Sequence, residues 1–239
     1  MIGQARVPLE AVQLCADNAA RLIEDSQGAS EPTRAALLEV AMEEVSKGWI
    51  LMTHLTDVGA PVIDSERLSN EMYGRPDAFV PDSEFGRSIT QFVEGVVTVA
   101  PSVGDAFGGP KVHRKRLEFL GHIFGWIRNL IETAGESGES DRLFHFFYGK
   151  AMRPGLSHSE AKSELLETLR TLDETQLSNL GRLKEEGLYV NRTPGGGFVS
   201  PTSLPYPDLD DLEDVTVLPL ELLRLNIRSL LRLSGQRSY

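Results

Sequence analysis

Apolar positions recur along most of this chain at the spacing of a helix rather than that of a strand. Between Pro8 and Ser26, the residues Val12, Cys15/Ala16, Ala19 and Leu22/Ile23 mark one face. Pro8 suits a first helical position and Gly28 a stop. Ser30, Glu31 and Pro32 then form a start signal for a second helix over 32–58, closed by Gly59 and Pro61. The short connection predicts an antiparallel hairpin of these two helices.

Residues 59–110 are interrupted by Pro61, Gly74, Pro76, Pro81, Gly104, Gly108, Gly109 and Pro110. Inside this stretch, 89–100 carries a Val-Val-Thr-Val tract of strand composition, while Phe85, Ile89, Phe92 and Val93 fit helical spacing. The spacing favours a short helix. Over 111–134, Leu117, Leu120, Phe124, Ile127 and Ile131 line up as the apolar stripe of a long amphipathic helix. Residues 135–140 read as a polar linker, and Leu143 to Phe147 opens another apolar segment. A further helix with an acidic outer face runs over 157–186, with Gly187 as its stop. Residues 188–211 hold four prolines and three consecutive glycines, which suits a loop or a two-stranded hairpin across Pro194–Gly197. Pro219 to Leu233 is again amphipathic and helical. The pattern therefore predicts an all-α protein: a helical bundle over 1–187, then a Pro/Gly-rich segment and a C-terminal helix over 188–239 that pack on the same domain.

At 239 residues there is ample chain for a real core. The 35 acidic and 24 basic residues give a formal net charge of −11, which argues against duplex DNA as a partner. The single cysteine, Cys15, allows no intrachain disulfide and no cysteine zinc site. The first residues, MIGQARVPLEAV, lack a charged-then-apolar signal layout, and no apolar run approaches the length of a membrane span. The expected location is the cytoplasm, with no membrane contact.

Two clusters carry candidate chemistry. In AALLEVAMEEVSKGWILMTH, residues 35–54, Glu43 and Glu44 stand four and three residues before Lys47, so acid and base share a helix face. The stripe Leu37, Ala41, Glu44, Gly48, Leu51 places Glu44 and Lys47 in or beside the core, where an unpaired charge is costly. The second cluster, Lys111, His113, Arg114, Lys115 and Arg116, is the densest positive charge of an acidic chain. It sits at a helix start, against the macrodipole, so a phosphate or a partner acid is expected to offset it. Arg116 and His122 also fit a loose Arg-to-His spacing. An Arg that holds phosphate beside a His that moves a proton is sensible ribonuclease chemistry. The same spacing at Arg153 and His158 is broken by Pro154 and Gly155 and is read as chance. No His-Glu-x-x-His motif, P-loop or Gly-x-Ser-x-Gly elbow is present, so no metal and no cofactor is expected.

Three segments together resemble the AbiV family of abortive-infection proteins. Asn18, Arg21 and Leu22 stand ahead of LEVAMEEVSKGWIL, which is similar to that family's EE-x-x-K helix. HRKRLEFL, residues 113–120, is similar to its His-x-x-Lys helix start, with Arg116 at the Lys position. LKEEGLYVNRTPGGGFVSP, residues 183–201, resembles its Leu-Tyr-Val segment ending in Ser-Pro. The resemblance implies a HEPN-like antiparallel helical bundle in a bacterial phage-defence protein. HEPN domains are often ribonucleases and often homodimers; their Arg–His motif lies late in the bundle, and Arg116–His122 departs from it.

Taken together, the helix over 32–58 is expected to pack on the helix over 111–134, with Glu43, Glu44 and Lys47 facing His113 and Arg116. Two readings of that patch stay open. If it is catalytic, His113 or His122 is the acid/base, Arg116 and Lys47 hold phosphate, and Glu44 orients them on an RNA substrate. If it is structural, it is a buried ion network that fixes helix register, and the protein binds a phage or host protein through its acidic helix and the 188–211 loop.

Overall fold

The computed structural model describes residues 7–56, 63–107, 110–136, 157–172, 191–192, 198–200, 206 and 208–233. Among the described residues the structure is all-α apart from one two-residue ladder. In chain order the helices are α1 (Leu9–Ser26), α2 (Glu31–Thr53), α3 (Ser65–Tyr73), α4 (Glu84–Val99), α5 (Val103–Ala106), α6 (Pro110–Glu136), α7 (His158–Thr171) and α8 (Leu209–Leu233). The ladder joins β1 (Asn191–Arg192) to β2 (Phe198–Val199) in antiparallel register. The expected turn residues Pro194–Gly197, the apolar segment 143–147 and the stretch 173–190 lie outside the described residues.

Helix α2 is the centre of the bundle. The expected single stripe along it is too narrow. Pro32, Ala35, Ala36, Leu38, Glu39, Ala41, Met42, Glu43, Val45, Ser46, Gly48, Trp49, Ile50, Leu51 and Met52 are all buried. A helix that is apolar nearly all round must be covered on every side, and α2 is contacted by α1, α5, α6 and α8. Helix α2 also ends earlier than its expected close at 58. His54 already caps it through Leu51 and Met52 carbonyls, and the His54 ring nitrogen Nε2 lies 2.9 Å from the Pro101 carbonyl.

Helices α1 and α2 form the expected antiparallel hairpin, tied at the open end by Thr56 N–H donating to the Val7 carbonyl at 3.2 Å. Helices α4 and α6 are also antiparallel, since Ser88 meets Thr133 at 3.0 Å while Phe92 and Trp126 stack edge-on at 6.3 Å. Against α6 and α8, however, α2 advances in the same sense. Glu39 and Ser46 meet His113 and Arg116 in that order, and Arg34 and Trp49 meet Glu213 and Pro219 in that order. The bundle is of mixed direction rather than antiparallel throughout.

One expectation about an individual element holds and another changes. The Val-Val-Thr-Val tract lies inside α4, because Phe85, Ile89, Phe92 and Val96 at helical spacing are buried together; packing overrides strand-type composition. Helix α8 starts at Leu209, ahead of the expected start at Pro219. The Asp208 carboxylate accepts from Asp210 and Asp211 N–H groups at 2.9 and 3.2 Å, a cap that the sequence reading overlooked. Pro219 is then interior to α8, and its carbonyl accepts the Trp49 indole N–H at 2.9 Å.

Helices α4 and α6 approach closely at Gly95, where an added Cβ would stand inside the contact radius of the Trp126 indole. Exposed Gly→Ala changes in helices stabilise by about 1 kcal/mol, whereas overpacking costs about 1–3 kcal/mol. Gly95→Ala is therefore expected to lower stability in urea unfolding despite its better helix propensity. An unchanged or raised midpoint would show that the α4–α6 contact is looser than this.

Candidate functional site

The central helix presents different chemistry on different sides. Glu39, Glu43 and Ser46 follow the i, i+4, i+7 spacing of one helix face, and that face meets α6. Glu39 is fully buried and Glu43 is 6% exposed, while Arg116 from α6 is 5% exposed. Two carboxylates one turn apart on a helix repel each other, and both are here withdrawn from water. The opposing helix supplies the compensation.

His113 fits between the two acids. Its Nδ1 lies 2.8 Å from Glu43 Oε1 and its Nε2 lies 3.4 Å from Glu39 Oε1, with 19% of the side chain exposed. Arg116, one turn further along α6, reaches the other oxygen of Glu43 at 3.4 Å. The same guanidinium donates to the carbonyls of Asp105 and Ala106 at 3.5 and 3.4 Å, satisfying the last turn of α5. Ser46 donates to the Arg116 carbonyl at 2.8 Å in a buried contact. Lys115 reaches Asp105 at 3.0 Å, and the Ser102 hydroxyl together with Lys115 holds the Asp105 carboxyl below its ordinary range. Helix α5 is thereby fastened to α6, next to the buried acids.

Of the five candidates read from the sequence, the structure brings His113 and Arg116 to one place, together with Glu43. Glu44 and Lys47 stand elsewhere. They form an ion pair with each other, and Glu44 lies beside Cys15 of α1. One residue along a helix is a turn of about 100°, so Glu43 and Glu44 serve different neighbours despite being adjacent. The expectation that Glu44 and Lys47 face His113 and Arg116 is replaced by this arrangement. His122 is separate as well. It is exposed and stacks on Trp126 with ring centroids 5.9 Å apart. Nine residues along a helix carry it about 180° round from His113. Arg116 and His122 therefore do not share a cleft.

Sequence reasoning missed Glu39. The available signal was an acid inside the run Ala-Leu-Leu-Glu-Val-Ala, one turn before Glu43. An acid flanked by apolar residues on a helix with no polar face must find its partner on another element.

Burial pushes the Cys15 thiol up to about 11, and the Glu44 carboxylate beside it acts in the same direction. The raised value disfavours the thiolate, so the contribution of neutral Cys15 to stability is complete below about pH 9 and falls as pH rises toward 11. Alkylation of Cys15 in the folded protein at pH 8 is expected to be about a hundredfold slower than in the unfolded chain. Glu44→Gln is expected to speed it only modestly, since burial is the larger cause; full free-thiol reactivity in the folded wild type would contradict this placement.

Among the described residues no helix is long and apolar enough to cross a membrane. Comparison with protein families, with curated proteins and with solved structures finds no match to this chain.

Proposed function

We propose that this chain is a bacterial phage-defence protein of the AbiV type, with a HEPN-like bundle, that acts by binding a protein partner rather than by cutting RNA. The resemblance in the EE-x-x-K segment, the His113-to-Arg116 helix start and the Leu-Tyr-Val segment supports the setting. The observation that bears on chemistry is the commitment of Arg116. Its guanidinium is buried and engaged with Glu43 and with two backbone carbonyls. An arginine that clamps a phosphodiester must present its donor fork to the substrate, and an acid/base histidine must stand within reach of the same phosphate. His122 is on the far side of α6, so the pair that would define a ribonuclease is divided.

The acidic balance of the chain favours a protein partner over bulk RNA. Helix α7 carries Glu164 and Glu167 exposed, and a basic face on a phage or host protein complements it. Arg114 and Lys115, although exposed on α6, pair with Glu118 and Asp105, so they do not offer an unopposed basic surface.

Cultures expressing the wild-type chain are expected to limit phage spread, and the double change Glu164→Lys with Glu167→Lys is expected to abolish that protection. The fold should persist, because exposed substitutions of this kind usually change stability by no more than about 0.5 kcal/mol. Purified protein incubated with total RNA and tRNA is expected to leave both intact. Cleavage by the wild type that disappears in His113→Ala would overturn the binding reading in favour of the nuclease.

A further inference from the structure

We infer that Glu39, Glu43 and His113 form a binding site for a single divalent first-row transition-metal ion. The three side chains each offer one ligand atom, and these atoms all lie within 4.8 Å of one another. Ligands on one tetrahedral zinc ion stand about 3.4 Å apart given bond lengths near 2.1 Å, so modest side-chain movement closes the set. Two carboxylates and one imidazole suit Mn²⁺, Fe²⁺ or Zn²⁺. Calcium and magnesium are less suited, because both require oxygen-rich shells.

Two further features point the same way. Arg116 holds Glu43 by Oε2 while Oε1 faces His113. An outer partner on one carboxylate oxygen that leaves the other directed at the ion is the usual support of a metal ligand. Secondly, both ring nitrogens of His113 are shielded from solvent, yet among the described residues neither makes a directed hydrogen bond. Glu43 Oε1 is close to Nδ1 in distance but off the line that an N–H would take. Ligands of one ion stand side by side in this way, whereas a protonated imidazole bridging two acids should aim its N–H groups at them. The partial exposure of His113 gives an ion its way in.

The charges agree. A divalent cation between two carboxylates and an imidazole is matched in charge by the two acids. The ion would join α2 to α6 directly, and water would complete its shell. The inference concerns binding and is independent of whether the protein restricts phage.

The test is calorimetric titration of the full chain with Zn²⁺, beside visible absorption on titration with Co²⁺. The expected result is one ion per chain, Co²⁺ bands in the visible from mixed nitrogen and oxygen ligation, and a raised Tm with Zn²⁺. His113→Gln and Glu39→Gln, each checked for wild-type circular dichroism, are expected to weaken binding by at least about tenfold. No binding by the wild type in molar excess of metal overturns the site. So does binding of equal strength in both variants, which would place the ion elsewhere. Should either variant fail to fold, the Co²⁺ spectrum of the wild type decides alone: oxygen-only ligation, or no band, overturns the site.

Discussion

Two carboxylates inside a helix bundle have to be neutralised, and most of the arrangement around α2 follows from that requirement. Glu39 and Glu43 sit on the one face of α2 that meets α6. Withdrawing an ion from water costs several kcal/mol unless opposite charge and hydrogen bonds replace the lost hydration. Arg116 supplies both to Glu43, and His113 stands between the two acids, which requires α6 to stand at one register against α2. Ser46 fixes that register from the same face by bonding the Arg116 backbone. The commitment passes on to α5, whose closing carbonyls are taken by Arg116. The apolar core provides the bulk of the stability, as burial always does. The ion network adds directed contacts between α2 and α6 that an apolar seam would lack.

That division explains what was legible in the sequence. Helical periodicity identified α1, the start of α2 and all of α6, because Val12, Ala19 and Ile23, like Leu117, Phe124 and Ile131, repeat at one face of a helix. Local charge pairing was also legible: Glu44 and Lys47, three apart, do meet. The same local logic misled when it grouped Glu43 with them. The partner of Glu43 is on a helix far along the chain, and a single sequence shows no pairing at such separation. Glu39 was hidden for the same reason. The donor set Glu39, Glu43 and His113 has no motif spacing because two helices contribute to it. The start of α8 was lost among acidic residues and a proline, where the cap at Asp208 was the signal to follow.

The division of the patch matters for chemistry. A ribonuclease needs its arginine and histidine at one phosphate, whereas here Arg116 is turned inward and His122 outward. What remains at the α2–α6 seam is a compact cluster of two acids, an imidazole and a guanidinium. Such a cluster suits holding register or holding an ion better than turning over a polymer.

The most direct measurement of the central network is a double-mutant cycle on Glu43→Gln and Arg116→Met by urea unfolding. Breaking a buried pair from one side costs about 3–5 kcal/mol, because the surviving charge is left uncompensated. Arg116→Met alone should show a loss of that size. The double variant should be less destabilised than the sum of the singles by about 1 kcal/mol or more. Strict additivity of the two changes would contradict a shared buried network between α2 and α6.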